Sequence, residues 1–252
     1  MNLKNLEIKF TEDGHTYEVG GQLLTGVTTI LAVRQKDFLK WSTVKLMWEN
    51  LTGKFKEIIA GTEEEFETRI LNAKKAHTIK SKEALTSGKI AHNWIEEYIK
   101  DKIAGKGVED KQLPEDQKAA SSVHAFLDWE DQYEIKWLLS EKPLASVLNM
   151  FAGTVDAVAE IDGVLTVVDF KTSSQISDDY FLQTAAYWLL LDENLLEGEK
   201  RPEARLILRI PKDGSGFEAK LVETPLDFDC ATFIRCREIH RWNLLVKKLS
   251  GE

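Results

Sequence analysis

Cysteine is almost missing from this chain: Cys230 and Cys236 are the two among 252 residues. That excludes a disulfide scaffold, and any zinc or iron–sulfur site that draws four cysteines from one chain. Both thiols are expected to be reduced. Long apolar runs are missing as well; the longest, such as Tyr187 to Leu191, fall far short of the roughly 20 residues that cross a bilayer. The opening Met1-Asn2-Leu3-Lys4-Asn5-Leu6-Glu7 has no apolar signal-peptide core, so a cytoplasmic protein without membrane contact is expected. No low-complexity segment, internal repeat or Pro/Gly/Ser-rich linker divides the chain, and a single domain over 1–252 is the expectation. A basic excess is the last absence. The formal net charge of −9 argues against a protein that coats nucleic acid nonspecifically.

What is present is enough apolar material for a core, 43% hydrophobic against 30% charged residues, which excludes a disordered or fibrous chain. The charge is uneven, at +1 over 1–100, −12 over 101–200 and +2 over 201–252. A concentrated acidic stretch is either a solvated surface or a set of carboxylates that a divalent cation neutralises.

Periodicity divides the chain into two textures. Residues 6–19 alternate around Thr11-Glu-Asp-Gly14 as a short β-hairpin. Apolar residues at threes and fours then predict helices over Thr28 to Val33, Phe38 to Leu51, Glu63 to Ala76, Ile79 to Ile103 and Glu115 to Leu138. The amino-terminal portion, 1–140, therefore reads as mainly helical. Over 141–252 the period changes. Strands are predicted over Pro143 to Met150, Thr154 to Ile161, Val164 to Phe170, Arg205 to Ile210 and Phe217 to Val222, with helices over Asp179 to Leu191 and Phe228 to Leu249. The class is α/β with a mixed, mostly antiparallel sheet flanked by helices.

Asp162-Gly163 is a two-residue hairpin signal, and it permits a geometric inference. With Ile161 facing Val164, counting back brings Asp156 opposite Asp169. Cβ atoms of directly opposed residues lie about 4.5–5.5 Å apart, where two carboxylates repel unless something positive sits between them. Lys171, two residues beyond Asp169, shares its face by strand alternation. Read singly, each aspartate could be a solvent-face residue. The pair is harder to dismiss, because Val158 and Val167 share that face and make it unlike plain surface.

Four motifs in order carry a resemblance: Gly88-Lys-Ile-Ala-His92, Gly153-Thr-Val-Asp156, Asp169-Phe-Lys171 and Gln183-Thr-Ala-Ala-Tyr187. Together they resemble the RecB-like exonuclease branch of the PD-(D/E)XK nuclease superfamily, and His15-Thr-Tyr17 through Gly26-Val27-Thr28 is similar to the amino end of small stand-alone phage and prophage members. The resemblance implies a restriction-endonuclease-like core and a Mg²⁺- or Mn²⁺-dependent deoxyribonuclease. It further implies exonuclease attack on single-stranded DNA or DNA ends in recombination or repair, in a bacterial or phage-infected cell. Asp156 and Asp169 are then metal ligands, the Phe170 carbonyl and His92 complete the shell, and Lys171 positions or activates the attacking water. Gln183 and Tyr187, spaced i and i+4, support the site and contact the DNA backbone, and Glu141 and Glu96 are further acidic candidates. Clusters at Lys74, Lys75, Lys80, Lys82 and Lys89, and at Arg235, Arg237, Arg241, Lys247 and Lys248, are candidate DNA contacts. With two cysteines no iron–sulfur cluster is expected. Without helicase motifs, any unwinding motor or recombinase is a separate polypeptide. The rival readings are an endonuclease of the same fold and a noncatalytic nucleic-acid-binding module.

Overall fold

The protein is described from a computed structural model covering residues 1–11, 16–34 and 63–251; over 63–67 and 69–82 the backbone alone is described. The helix expected over Phe38 to Leu51 lies outside the described residues. The chain separates into two compact units, residues 1–34 with 90–252, and residues 35–89. The described part of the smaller unit is helical and belongs to one helix, α2 (Glu63–Ile103), rather than to two separate helices.

In the larger unit the strands are β1 (Ile8–Thr11), β2 (Thr16–Val19), β3 (Gln22–Gly26), β4 (Ile135–Ser146), β5 (Phe151–Ile161), β6 (Val164–Lys171), β7 (Ala204–Arg209) and β8 (Glu218–Leu221). They form one sheet in the order β1-β2-β3-β5-β6-β7-β8, with β4 also paired to β5. The pairings are antiparallel except β3 with β5 and β6 with β7. The other helices are α1 (Val27–Leu31), α3 (Gln117–Glu130), α4 (Asp179–Asn194) and α5 (Leu226–Ser250). This is the α/β architecture with a mixed, mostly antiparallel sheet.

Local chemistry explains the turns. Asp162 and Gly163 have φ +46° and +82°, the left-handed pair of a type I′ hairpin, and the ladder runs from Ile161–Val164 to Ala157–Val168. Gly20 and Gly21, φ +57° and +82°, turn β2 into β3 in the same way. Asp116 starts α3 by accepting the Ala119 N–H at 2.7 Å.

Two expectations are corrected. The helix predicted over Glu115 to Leu138 stops at Glu130, and β4 begins at Ile135 rather than Pro143. Ile135, Trp137, Leu138 and Leu139 fit a helical stripe. They are drawn instead into a ladder that pairs β4 with β5 from Ile135–Ile161 to Ser146–Phe151, so long-range pairing overrides local period. The strand β3 was not anticipated at all; it extends the amino-terminal hairpin and joins the sheet beside Phe151 and Ala152.

Helices cover both faces of the sheet. On one side Ala91, Ile95 and Ile99 of α2 and Val123, Phe126 and Trp129 of α3 pack with Trp137, Ala157, Ala159, Val168, Phe170 and Leu208. On the other, α1, α4 and α5 supply Ile30, Leu190 and Phe233 against Leu144, Phe151, Val155, Val158 and Val167. Buried on two sides, β5 is apolar almost throughout, as a central strand between helical layers must be. No described helix is long and apolar enough to cross a membrane.

Candidate active site

The site forms where the sheet forks. Because β4 pairs with β5 from Phe151 to Ile161, β3 and β6 must share the opposite edge of β5. β3 takes Phe151 and Ala152, and β6 takes Ala157 to Ile161. The stretch 153–156 lies between them, and Asp156 closes it. Its carboxylate accepts the Phe170 N–H at 2.8 Å, so a side chain takes over where the ladder ends.

The packing of β5 changes side at the same point. Val155 packs with the α1, α4 and α5 layer, as Val158 does, whereas Ala157 packs with α2 and α3. Strict alternation is therefore broken at Asp156. The register of β4 brings Glu141 opposite Asp156, between the pairs Ser140–Ala157 and Lys142–Val155. Glu141 has φ +43°, a left-handed conformation that costs a non-glycine residue about 1–3 kcal/mol and is held only where the surroundings over-determine it.

Asp169 is fully buried and Asp156 nearly so. Lys171 Nζ donates to Asp169 Oδ1 at 2.7 Å and lies 2.6 Å from the buried Oδ2, so the ion pair engages both carboxylate oxygens. Burial pushes the Asp169 carboxyl up to about 7, with Lys171 opposing and Asp156 adding to the rise. For Lys171 burial acts downward, but Asp169 and Asp156 outweigh it and the ammonium is held above its ordinary value. The same ammonium lies 4.9 Å over the Tyr180 ring, a cation–π contact at the start of α4 that sequence reading missed.

The other expected residues surround this centre. Half-buried His92 comes from α2 and meets the Phe170 ring edge-on, centroids 6.5 Å apart. Burial lowers its basicity, Asp156 opposes, and Lys171 and Lys212 lower it further. Glu141 is pushed up to about 9 by burial, then by Asp156 and Glu96, against Lys100 and Lys171. Glu96 is ion-paired with Lys100, so it sits at the margin. Phe170 has its ring in the core and its N–H on Asp156. Gln183 and Tyr187 are both buried, and the Gln183 amide donates to the Tyr187 hydroxyl at 2.7 Å. Burial, then Asp156 and Asp169, raise that phenol well above its ordinary value. Gly153 makes room for it, since a Cβ there would stand 3.0 Å from Val27 Cγ2 and 3.1 Å from Tyr187 Cε1.

Among the described residues no group of three or more His, Cys, Asp and Glu side chains converges as a ready-made metal cage. The side chains of Lys74, Lys75, Lys80 and Lys82 lie outside the described residues. In the second basic cluster Arg237 is engaged with Glu238 and the Asn149 carbonyl, and Arg241 lies 3.8 Å from Glu238.

Fold and site together define an α/β protein with two buried carboxylates and a lysine at the fork of a mixed sheet. No family model matches the chain, and no curated protein matches it. Among solved structures it is similar to SSO0001, with 15% identity, 61% of this chain and 86% of that one covered, and a TM-score of 0.29. A likeness that low carries no argument.

Proposed function

We propose that this chain is a metal-dependent deoxyribonuclease of the RecB-like PD-(D/E)XK type, acting as an exonuclease on DNA ends in recombination or repair. One observation carries the reading: Asp156 and Asp169 flank the fork of β5 and β6 with Lys171 against Asp169. A protein selected for stability alone gains little from burying two acids on adjacent strands.

The donor set fits a hard divalent cation. Asp169 Oδ2 is buried against the Lys171 ammonium at 2.6 Å, Asp156 lies on the neighbouring strand, and His92 and Glu141 are further donors in electrostatic reach of Asp156. Asp156 and Asp169 hold Mg²⁺ or Mn²⁺ in this reading, with His92, Glu141 and the Phe170 carbonyl as additional donors. The cation supplies charge neutralisation at the phosphate and at the leaving oxygen. The protein does the rest. The Lys171 ammonium, braced by Asp169 and Tyr180, orients the attacking water. The Gln183–Tyr187 pair supports the aspartates from α4, and the Asp156–Phe170 N–H bond locks the relative position of the two strands.

The test is a nuclease assay on end-labelled single- and double-stranded DNA and on closed circular DNA, with Mg²⁺, Mn²⁺ or EDTA. Wild type is compared with Asp169→Ala and Lys171→Ala. Metal-dependent loss of the linear substrates, reduced at least about 1,000-fold in both variants, is expected. Cutting of the circle would replace the exonuclease reading by an endonuclease. Metal-independent DNA binding with no degradation of any substrate would replace both by a binding module.

A further inference from the structure

The closing helix α5 has two faces, and the body of the protein uses one. Asp229, Phe233 and Cys236 are buried, and the Phe233 ring meets Phe151 of β5 with centroids 4.9 Å apart. The other face stays in water. Phe228 is 66% exposed, Trp242 64% and Leu249 78%, and Ile239, Leu244, Leu245 and Val246 are exposed with them. Single exposed apolar side chains are ordinary, but six between Ile239 and Leu249 form a patch of the kind that marks a contact surface.

The spacing on that face says what fits it. Phe228, Thr232, Arg235, Ile239, Trp242, Val246 and Leu249 succeed one another at alternating steps of four and three, which is the a/d seam of a coiled coil over three heptads. Such a seam takes another helix. Leu244 falls off it, on the side of α5 that carries Phe233 and half-buried Arg237 and His240. Phe228, Ile239, Trp242, Leu245, Val246 and Leu249 together leave about 750 Å² in water. That is close to the roughly 800 Å² each partner gives to a stable interface, so two copies of the stripe satisfy each other.

Arg235 sets the direction. A parallel pair would bring this exposed guanidinium against its own copy, like charge on like. An antiparallel pair, with its twofold axis between residues 240 and 241, instead puts Ile239 against the partner's Trp242, Arg235 against the partner's Val246 and Thr232 against the partner's Leu249. Each guanidinium then lies beside the last turn of the other helix, where unpaired carbonyls and the negative end of the dipole favour a cation. We propose that α5 pairs antiparallel with α5 of a second copy of this chain, joining two molecules into a symmetric dimer.

The experiment is analytical ultracentrifugation of the full chain from about 1 to 100 µM, with thermal melting over the same range. Wild type is expected to be dimeric at about 10 µM, with a melting temperature that rises with concentration. Ile239→Glu and Trp242→Glu change exposed side chains outside the core and should weaken dimerisation at least about 100-fold, whereas Leu244→Glu should change it less than about threefold. Disulfide cross-linking reads the direction: Thr232→Cys mixed with Leu249→Cys should link one to the other, above the background that Cys230 and Cys236 give in wild type. Leu249→Cys linking only to itself would overturn the antiparallel pair. A dimer untouched by Ile239→Glu and Trp242→Glu would overturn the assignment to α5. A monomer up to about 100 µM would overturn the dimer. Binding of that monomer to anionic vesicles or to an oligonucleotide, lost in Trp242→Glu, would then give the face to a lipid surface or to nucleic acid instead.

Discussion

The two ends of the β5–β6 hairpin are built from the same pair of strands and behave differently. At the closed end Asp162-Gly163 makes a tight turn and the ladder runs in regular register from Ile161–Val164 to Ala157–Val168 between two apolar layers. At the open end the ladder stops, a carboxylate receives a backbone N–H, the packing of β5 changes side, and Glu141 across the strand is forced to φ +43°. The closed end contributes stability through backbone pairing and burial. The open end concentrates buried charge and left-handed backbone, the arrangement found where structure is spent on chemistry. A third strand causes the difference: β3 takes the edge of β5 that β6 leaves.

That contrast can be broken from either side. The largest effect is expected from Lys171→Met at about pH 8 in EDTA. It removes the ammonium from a carboxylate with no exposure, and breaking such a buried pair costs about 3–5 kcal/mol. Urea denaturation measures it, and a loss below about 1 kcal/mol would mean that Asp169 is not held as an anion by Lys171. At the closed end Gly163→Ala forces a Cβ into φ +82°, where open space surrounds it, so strain alone is tested. A loss of about 1–2 kcal/mol with unaltered kcat is expected, and a change in kcat would show that the turn transmits register to the site. The smallest effect is a gain. Glu141→Gly relieves the left-handed strain and removes a carboxylate crowded by Asp156 and Glu96, and a rise of about 1 kcal/mol in EDTA is expected by thermal melting. A loss of stability would place the cause of the φ +43° conformation in favourable contacts of Glu141 itself.

Much of the centre was legible before any coordinates. Asp162-Gly163 specifies a type I′ turn through its two left-handed positions, and that turn brings the strands of Asp156 and Asp169 together. Alternation carries Lys171 to the Asp169 side, and the i, i+4 spacing of Gln183 and Tyr187 yields a real hydrogen bond. What could not be read involves partners distant in sequence. Ile135 to Leu139 fit a helix and became strand through pairing with β5. Tyr180 and Lys212 carry no local signal, because one meets Lys171 across a loop and the other reaches Thr172 from forty residues away.

By itself, then, the sequence determined the hairpin, its register, and which carboxylates and lysine share its open end, because turn chemistry and strand alternation act within a few residues. The tertiary structure decided that β4 is a strand, that β3 forks the sheet, that Glu141 is strained against Asp156 and that Lys212 sits beside the centre. Those outcomes depend on which edge of β5 each distant segment occupies, and edge occupancy is settled by competition among long-range hydrogen bonds and apolar burial.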